Sequence, residues 1–160
     1  MSVPAAIALR PRVARDEAFL RALYAAVRTP ELAQVDWSSE QKLTFLSSQF
    51  DAQTKHYDDA YHAADFAIVE RDGEAIGRLY VYDQAPDDVR IVDIALVPEA
   101  CGQGIGGKLL HDVIAKASAA GKSVSIHVEQ FNPALRLYRR LGFEQVGEFG
   151  VYFLMRRPPG

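Results

Sequence analysis

The segment that most constrains this chain is Cys101-Gly102-Gln103-Gly104-Ile105-Gly106-Gly107-Lys108. It follows a strand-like run and opens a helix-like one. Glycines let a backbone approach a ligand closely. The N–H groups of a helix start, with the positive end of its dipole, suit a phosphate. A chain with this junction has to supply a strand, a tight loop and a helix in that order.

The periodicities on either side predict the remaining elements. Ile7 and Leu9 alternate loosely, as in an edge strand. After Asp16, the residues Phe19, Leu20, Leu23, Ala26 and Val27 recur at helical spacing, and Thr29-Pro30 predicts a stop. A second helix is expected over 39–57, with Ser38 or Ser39 as N-cap and Gln41 at capping-box distance from Ser38. Trp37 lies in the polar loop between the two. Strands are expected over 66–70, 74–82 and 90–97, with a hairpin turn at Asp72-Gly73.

Ile105, Leu109, Val113 and Ala117 then mark a helix over 104–119 that Gly121 ends. A strand over 123–128 follows. A helix over 132–141 has Pro133 in its first turn and Gly142 past its end. The tail, 143–155, alternates as one or two strands. Short turns make the three central strands antiparallel, whereas the helix between 90–97 and 123–128 makes that pair parallel. The expectation is an α/β (α+β) mixed sheet in a single domain over 1–160.

Composition removes several function classes. Eighteen Lys+Arg against 21 Asp+Glu give a net charge of −3, which argues against a general nucleic-acid binder. No apolar run approaches the roughly 18 residues of a membrane span, and no basic segment precedes the first apolar residues, so no secretory signal is expected. The single cysteine, Cys101, excludes a disulfide within the chain and a zinc cluster. His56, His62, His111 and His127 lack the i, i+4 spacing of a helical metal pair, so no metal is expected. The cytoplasm is the default compartment.

Three readings of the glycine loop compete. Gly102, Gly104 and Gly107 satisfy G-x-G-x-x-G, and Glu129 follows Gly107 near the end of the next strand, where a dinucleotide fold keeps its ribose acid. Four residues, Pro98-Glu99-Ala100-Cys101, intervene after the strand, however, and antiparallel strands precede it. The P-loop pattern G-x-x-x-x-G-K-S/T is met through Lys108 and fails at Leu109, where a hydroxyl belongs.

The third reading uses more of the chain. Asp93-Ile94-Ala95-Leu96-Val97-Pro98-Glu99 leads into Cys101-Gly102-Gln103-Gly104-Ile105-Gly106 and Lys108-Leu109-Leu110. One strand later stand Asn132, Ala134, Tyr138, Gly142 and Phe143. Together these resemble the two signatures of the GNAT (Gcn5-related) family of N-acetyltransferases: Arg/Gln-x-x-Gly-x-Gly/Ala, and Asn-x-Ala-x-x-x-Tyr-x-x-x-Gly-Phe. The resemblance covers residues 66–153 well. Cys101 departs from it, standing where the family carries Arg or Gln.

The resemblance implies the GNAT acyl-CoA N-acyltransferase fold, with a mostly antiparallel sheet, one parallel pair splayed at the cofactor site, and flanking helices. It implies direct transfer of the acetyl group of acetyl-CoA to a primary amine in a ternary complex. The N–H groups of Gly102, Gln103, Gly104, Ile105, Gly106, Gly107 and Lys108 would hold the pyrophosphate. The backbone of Ile94, Ala95 and Leu96 would position the pantetheine arm, and an N–H there would stabilise the oxyanion.

Tyr138 matches the family's general acid, and Asn132 its cofactor-arm contact or a plain N-cap. Asp93 is the best candidate for the base that deprotonates the amine, with His127 and Glu129 as second choices; an ion pair with Arg90 or Arg78 is the structural alternative for Asp93. No nucleophile with a base partner is evident, which favours direct transfer.

The acceptor would be a small-molecule amine, a peptide N-terminus or a lysine. Gln49, Gln53, His56 and Tyr57 share a helical face that faces it or the solvent, and Trp37 and Phe50 are aromatic candidates for its pocket. A non-catalytic acyl-CoA sensor on the same fold and a nucleotide-binding enzyme built on 102–108 are the rivals. No nucleic acid or membrane partner is expected, and a homodimer stays open.

Overall fold

The computed structural model describes residues 6–160. Seven strands form one sheet in the order β1-β2-β3-β4-β5-β7-β6. They are β1 (Ile7–Pro11), β2 (Asp65–Arg71), β3 (Glu74–Tyr82), β4 (Asp88–Leu96), β5 (Ser123–Glu129), β6 (Glu144–Phe149) and β7 (Tyr152–Arg157). Helices α1 (Glu17–Leu32) and α2 (Ser39–Ala60) precede β2, while α3 (Ile105–Ala119) and α4 (Leu135–Arg140) flank β5 in sequence. Contacts divide the described residues into two compact units: 6–62, 66–79 and 95–101; and 63–65, 80–94 and 102–160.

In the first unit, β1 is the expected edge strand and runs antiparallel to β2, with Ile7 opposite Arg71 and Pro11 opposite Ala67. The β2–β3 turn places Asp72 at φ 51° and Gly73 at φ 84°, which only a short polar residue and a glycine adopt cheaply. Asp72 Oδ1 also accepts from the Ala6 N–H at 2.9 Å.

Helix α1 does not stop at Thr29-Pro30 as expected; it continues to Leu32. Pro30 removes one backbone donor. The extra turn nevertheless carries Leu32 into a core with Leu20, Tyr24, Leu46, Phe50 and Ile68, and that burial offsets the lost bond. Helix α2 starts with the anticipated capping box: Gln41 N–H donates to Ser38 Oγ at 3.1 Å and Ser38 N–H to Gln41 Oε1 at 2.8 Å.

Arg10 on β1 holds Asp16 with two bonds, 2.9 and 2.8 Å, and Glu70 on β2 with a third at 2.9 Å. Asp16 is buried and also accepts from Val13 N–H at 2.8 Å. Chiefly through the Arg10 bonds, its carboxyl is held down at about 2. The folded form therefore binds this proton more weakly than the unfolded chain, so the stabilisation is complete above about pH 4 and is lost as pH falls through 2. Asp16→Asn is expected to lower unfolding free energy by about 1–3 kcal/mol at pH 7. In urea titrations the gap to wild type should narrow below pH 4.

In the second unit, β4 and β5 are parallel, from Asp88 opposite Ser123 to Ile91 opposite Ile126. Strand β5 is antiparallel to β7, and β7 to β6, with a bulge between Gln145 and Gly147. The tail is thus two strands. Helix α4 is shorter than the expected 132–141 because Asn132 Oδ1 accepts from Ala134 N–H at 2.9 Å, which holds the preceding residues in a local turn. Helices α3 and α4 both end on glycines in the left-handed region, Gly121 at φ 71° and Gly142 at φ 95°. Among the described residues, no helix is long and apolar enough to cross a membrane.

Candidate active site

The glycine loop is built as its composition demands. A 3-10 turn over Pro98–Ala100 leaves β4, with Ala100 N–H donating to Val97 O at 2.9 Å. Gly102 at φ 74° and Gly104 at φ 81° then turn the chain through conformations that disfavour side chains. Gly104 is the N-cap of α3 and offers no capping side chain. The first bond within the helix is Lys108 N–H to Gly104 O at 3.1 Å. The N–H groups of Ile105, Gly106 and Gly107 therefore have no acceptor within the helix. A Cβ added at Gly102, Gly104, Gly106 or Gly107 would meet nothing within 4 Å, so the cradle opens onto clear space. That is the shape and polarity an anionic diphosphate needs.

The two nucleotide readings of this loop fail in the fold. Leu109 is buried in the core and has no hydroxyl. The strand order, with one parallel pair among neighbours that otherwise run antiparallel, is no doubly wound sheet. Cys101 is exposed, and its Sγ lies 3.5 Å from Val97 O and 3.8 Å from Leu96 O. It packs into the turn.

The parallel pair parts where the resemblance requires. Its ladder ends at Ile91 opposite Ile126, yet β4 runs on to Leu96 and β5 to Glu129. Past this point lie Val92, Asp93 and Ile94 on β4, and His127 and Val128 on β5. Ala95 and Leu96, in the first unit, lie against Gly77 of β3. A Cβ on Gly77 would collide with the Ala95 carbonyl oxygen and come within 2.7 Å of Leu96 Cδ2. Val97 N–H donates to Ile76 O at 2.8 Å. Gly77 thus sets how closely β3 carries the end of β4. Sequence reasoning missed it, although a glycine inside a strand signals close backbone approach.

Tyr138 is buried on α4. The helix ends in a Schellman motif, in which Phe143 N–H donates to Tyr138 O at 3.0 Å and Gly142 N–H to Arg139 O at 3.1 Å. Phe143 folds back edge-on against the Tyr138 ring, with centroids 5.6 Å apart. Gly142 and Phe143 of the sequence signature therefore fix the tyrosine. Burial, and secondarily the Asp93 charge, push its phenol up to about 12. Asp93 therefore lies near enough to Tyr138 for its charge to act on the phenol.

His127 does not fit the role of base. Arg90 Nη1 lies 3.1 Å from its Nδ1, and a guanidinium can only donate. Nδ1 is the acceptor, and the ring proton sits on Nε2. Partial burial and then the Arg90 charge hold the imidazole below its ordinary range. His127 is a neutral donor.

Of the acceptor candidates, Phe50 lies in the core and Gln53 Oε1 accepts from Arg78 at 2.7 Å. His56 packs edge-on to Tyr61. Trp37 stacks edge-on to Phe45 at 5.3 Å, and the two line an open cavity of about 610 Å³ with Glu40 and Thr44.

Comparisons with known proteins bear on the family and the fold. The model of the Acetyltransferase (GNAT) family matches residues 29–143, and the chain belongs to that family. It is an acetyltransferase by class, and acetyl-CoA is the cosubstrate of that class. Among curated proteins it is 29% identical over 131 residues to a Bacillus subtilis (strain 168) protein provisionally named ribosomal protein bS18-alanine N-acetyltransferase, covering 77% of this chain and 83% of that one. Among solved structures it resembles the PaiA N-acetyltransferase of Thermoplasma acidophilum in complex with coenzyme A, at 17% identity and TM-score 0.71, over 96% of this chain and 99% of that one. A GNAT acetyltransferase from Elizabethkingia anophelis with acetyl-CoA bound is similar at 23% identity and TM-score 0.58, over 95% and 97%.

Proposed function

We propose that this chain moves the acetyl group of acetyl-CoA directly to an amine, most naturally the N-terminus of a peptide or a small primary amine, in a ternary complex. The observation that carries this reading is the parting of β4 from β5 beyond Ile91 and Ile126, with an open glycine cradle following β4 in the chain at the start of α3. We read 1–160 as one domain working in the cytoplasm; the family match includes residues of both compact units. The peptide acceptor is supported by the name of the Bacillus subtilis relative.

When bound, the cosubstrate supplies an activated thioester. Backbone N–H groups from Gly102 to Gly107, Gln103 and Ile105 included, hold its diphosphate; the Lys108 N–H, expected to join them, is spent on Gly104 O within the helix. Main-chain groups of Ile94, Ala95 and Leu96 align its amide arm, and one N–H among them faces the carbonyl oxygen as negative charge grows there. Asn132, exposed at the start of the α4 turn, contacts the arm. Asp93 Oδ takes the proton of the incoming ammonium, directly or through water. Tyr138 Oη keeps its proton throughout the neutral range and gives it to the departing sulfur.

Acetyl-CoA, CoA, ATP and NAD titrated in a thermal-shift assay, followed by thiol release on an amine panel, test the reading. Saturation at 100 times Kd adds about 2.7 kcal/mol of stability. Stabilisation by acetyl-CoA and CoA with thiol release is expected; stabilisation by ATP or NAD alone would overturn it. In the same assay Gly104→Ala should weaken acetyl-CoA binding several-fold and cost about 1–2 kcal/mol of stability, because φ 81° strains a Cβ.

A further inference from the structure

Strand β5 alternates strictly. Val124, Ile126 and Val128 point into the core, while Ser123, Ser125, His127 and Glu129 share the other face. Arg90 on β4 and Arg156 on β7 both stand opposite Ser125 in register, so they flank β5 on that same face. Each leans inward over the middle strand. Arg90 Nε donates to Ser125 Oγ at 2.8 Å and Arg156 Nε to Ser123 Oγ at 3.0 Å. The serines are held in turn by one carboxylate: Ser123 Oγ donates to Asp88 Oδ1 at 2.7 Å and Ser125 Oγ to Asp88 Oδ2 at 2.5 Å.

The serines hold each guanidinium by its Nε–H. Arg90 spends one more donor on His127. Among the described residues, neither arginine forms an ion pair; Glu144 stands across the ladder from Arg156 and does not close on it. Left over on one sheet face are Nη2 of Arg90, both terminal nitrogens of Arg156, and the Nε2–H of His127. All are donors, and His127 and Arg156 are exposed. His127 is also the first β5 residue beyond the last β4–β5 pair, so the cluster adjoins the place where the strands part.

We propose that Arg90, His127 and Arg156 bind a carboxylate carried by the amine acceptor. Placing that carboxylate on the acceptor rests on the acetyltransferase reading above; the affinity of the cluster for a carboxylate does not. Planar guanidinium forks match a carboxylate's two oxygens, and their pre-tethered Nε leaves little side-chain freedom to lose on binding. Asp88 supplies the rigidity, since it holds both serines that hold the arginines.

Two peptides of equal size, alanylglutamate and alanylglutamine, differ by one charge and test this on the full chain by calorimetry at low salt. Alanylglutamate should bind about tenfold tighter or more, as charge-assisted bonds imply. Arg156→Gln and Arg90→Gln should each remove most of that preference while the thermal midpoint holds, and Arg156→Lys should restore part of it. Equal affinities, binding of neither peptide, or a preference that survives both glutamine variants would overturn the proposal. Thiol release from acetyl-CoA is read separately on the same peptides. Its absence alongside an intact charge preference would remove the acetyltransferase reading and leave the carboxylate site standing.

Discussion

Tyr138→Phe is expected to lower the rate of acetyl transfer by about 100-fold or more, the usual contribution of a positioned general acid, which is the role proposed for it, and to leave acetyl-CoA affinity within about twofold. The ring remains seated against Phe143, so folding is preserved and only the Oη–H is lost. The phenol's position at about 12 gives a second signature. An unfolded tyrosine loses its proton near pH 10, whereas the buried one keeps it until about 12. Between those values the unfolded chain binds fewer protons than the folded one, so wild-type stability falls as pH rises through that window, by up to about 3 kcal/mol. Tyr138→Phe abolishes that share of the alkaline loss. Stopped-assay kinetics at saturating acetyl-CoA, with urea titrations from pH 9 to 12, read both effects. An unchanged rate would reduce Tyr138 to a core residue.

Gly77→Ala is expected to be the most damaging single-methyl change, at about 3 kcal/mol or more of unfolding free energy. The added Cβ meets backbone, the Ala95 carbonyl oxygen, which has no rotamer to swing away. Relief requires β4 to shift at Ala95 and Leu96, the residues proposed to align the cosubstrate's arm. Acetyl-CoA affinity should therefore fall together with stability, whereas Asp16→Asn lowers stability alone. Equilibrium unfolding and acetyl-CoA titration of the two variants separate these cases. A Gly77→Ala protein as stable as wild type would show that β3 and β4 are less tightly apposed than the structure has them.

What could be read from the linear sequence divides by the range of the physics involved. The glycine loop at 102–108, the caps at Ser38 and Gly121 and the helix stop at Gly142 are local, each set by a few adjacent residues and their φ requirements. They were legible, and so was the order of strands joined by short turns. Pro30 misled because its cost is local whereas the compensation, Leu32 in a core with Phe50 and Ile68, is not. The helix after Asn132 is shorter than its sequence pattern predicts because an Asn side chain competes with the helix for the same N–H.

The parting of β4 from β5 was expected only through the family resemblance, since where a ladder ends is a property of two strands. Gly77 depends on a carbonyl 18 positions away (95 − 77). The Arg90–Ser125–Arg156 arrangement spans three strands, and no window along the chain contains it. His127 kept its place near the site and changed its role, because the donor that fixes its tautomer comes from another strand.

The opening in the middle of the sheet bears on how such a catalyst responds to its surroundings. A sheet that stops pairing midway has two inner rims, and their amides need partners. A carrier whose linear arm supplies those partners is read by its arm and diphosphate, and both survive the reaction unchanged. On the proposed binding mode the spent carrier would dock in the same slot as the loaded one. Turnover would then respond to the ratio of acetylated to free carrier, with product inhibition as a built-in gauge of the acetyl supply.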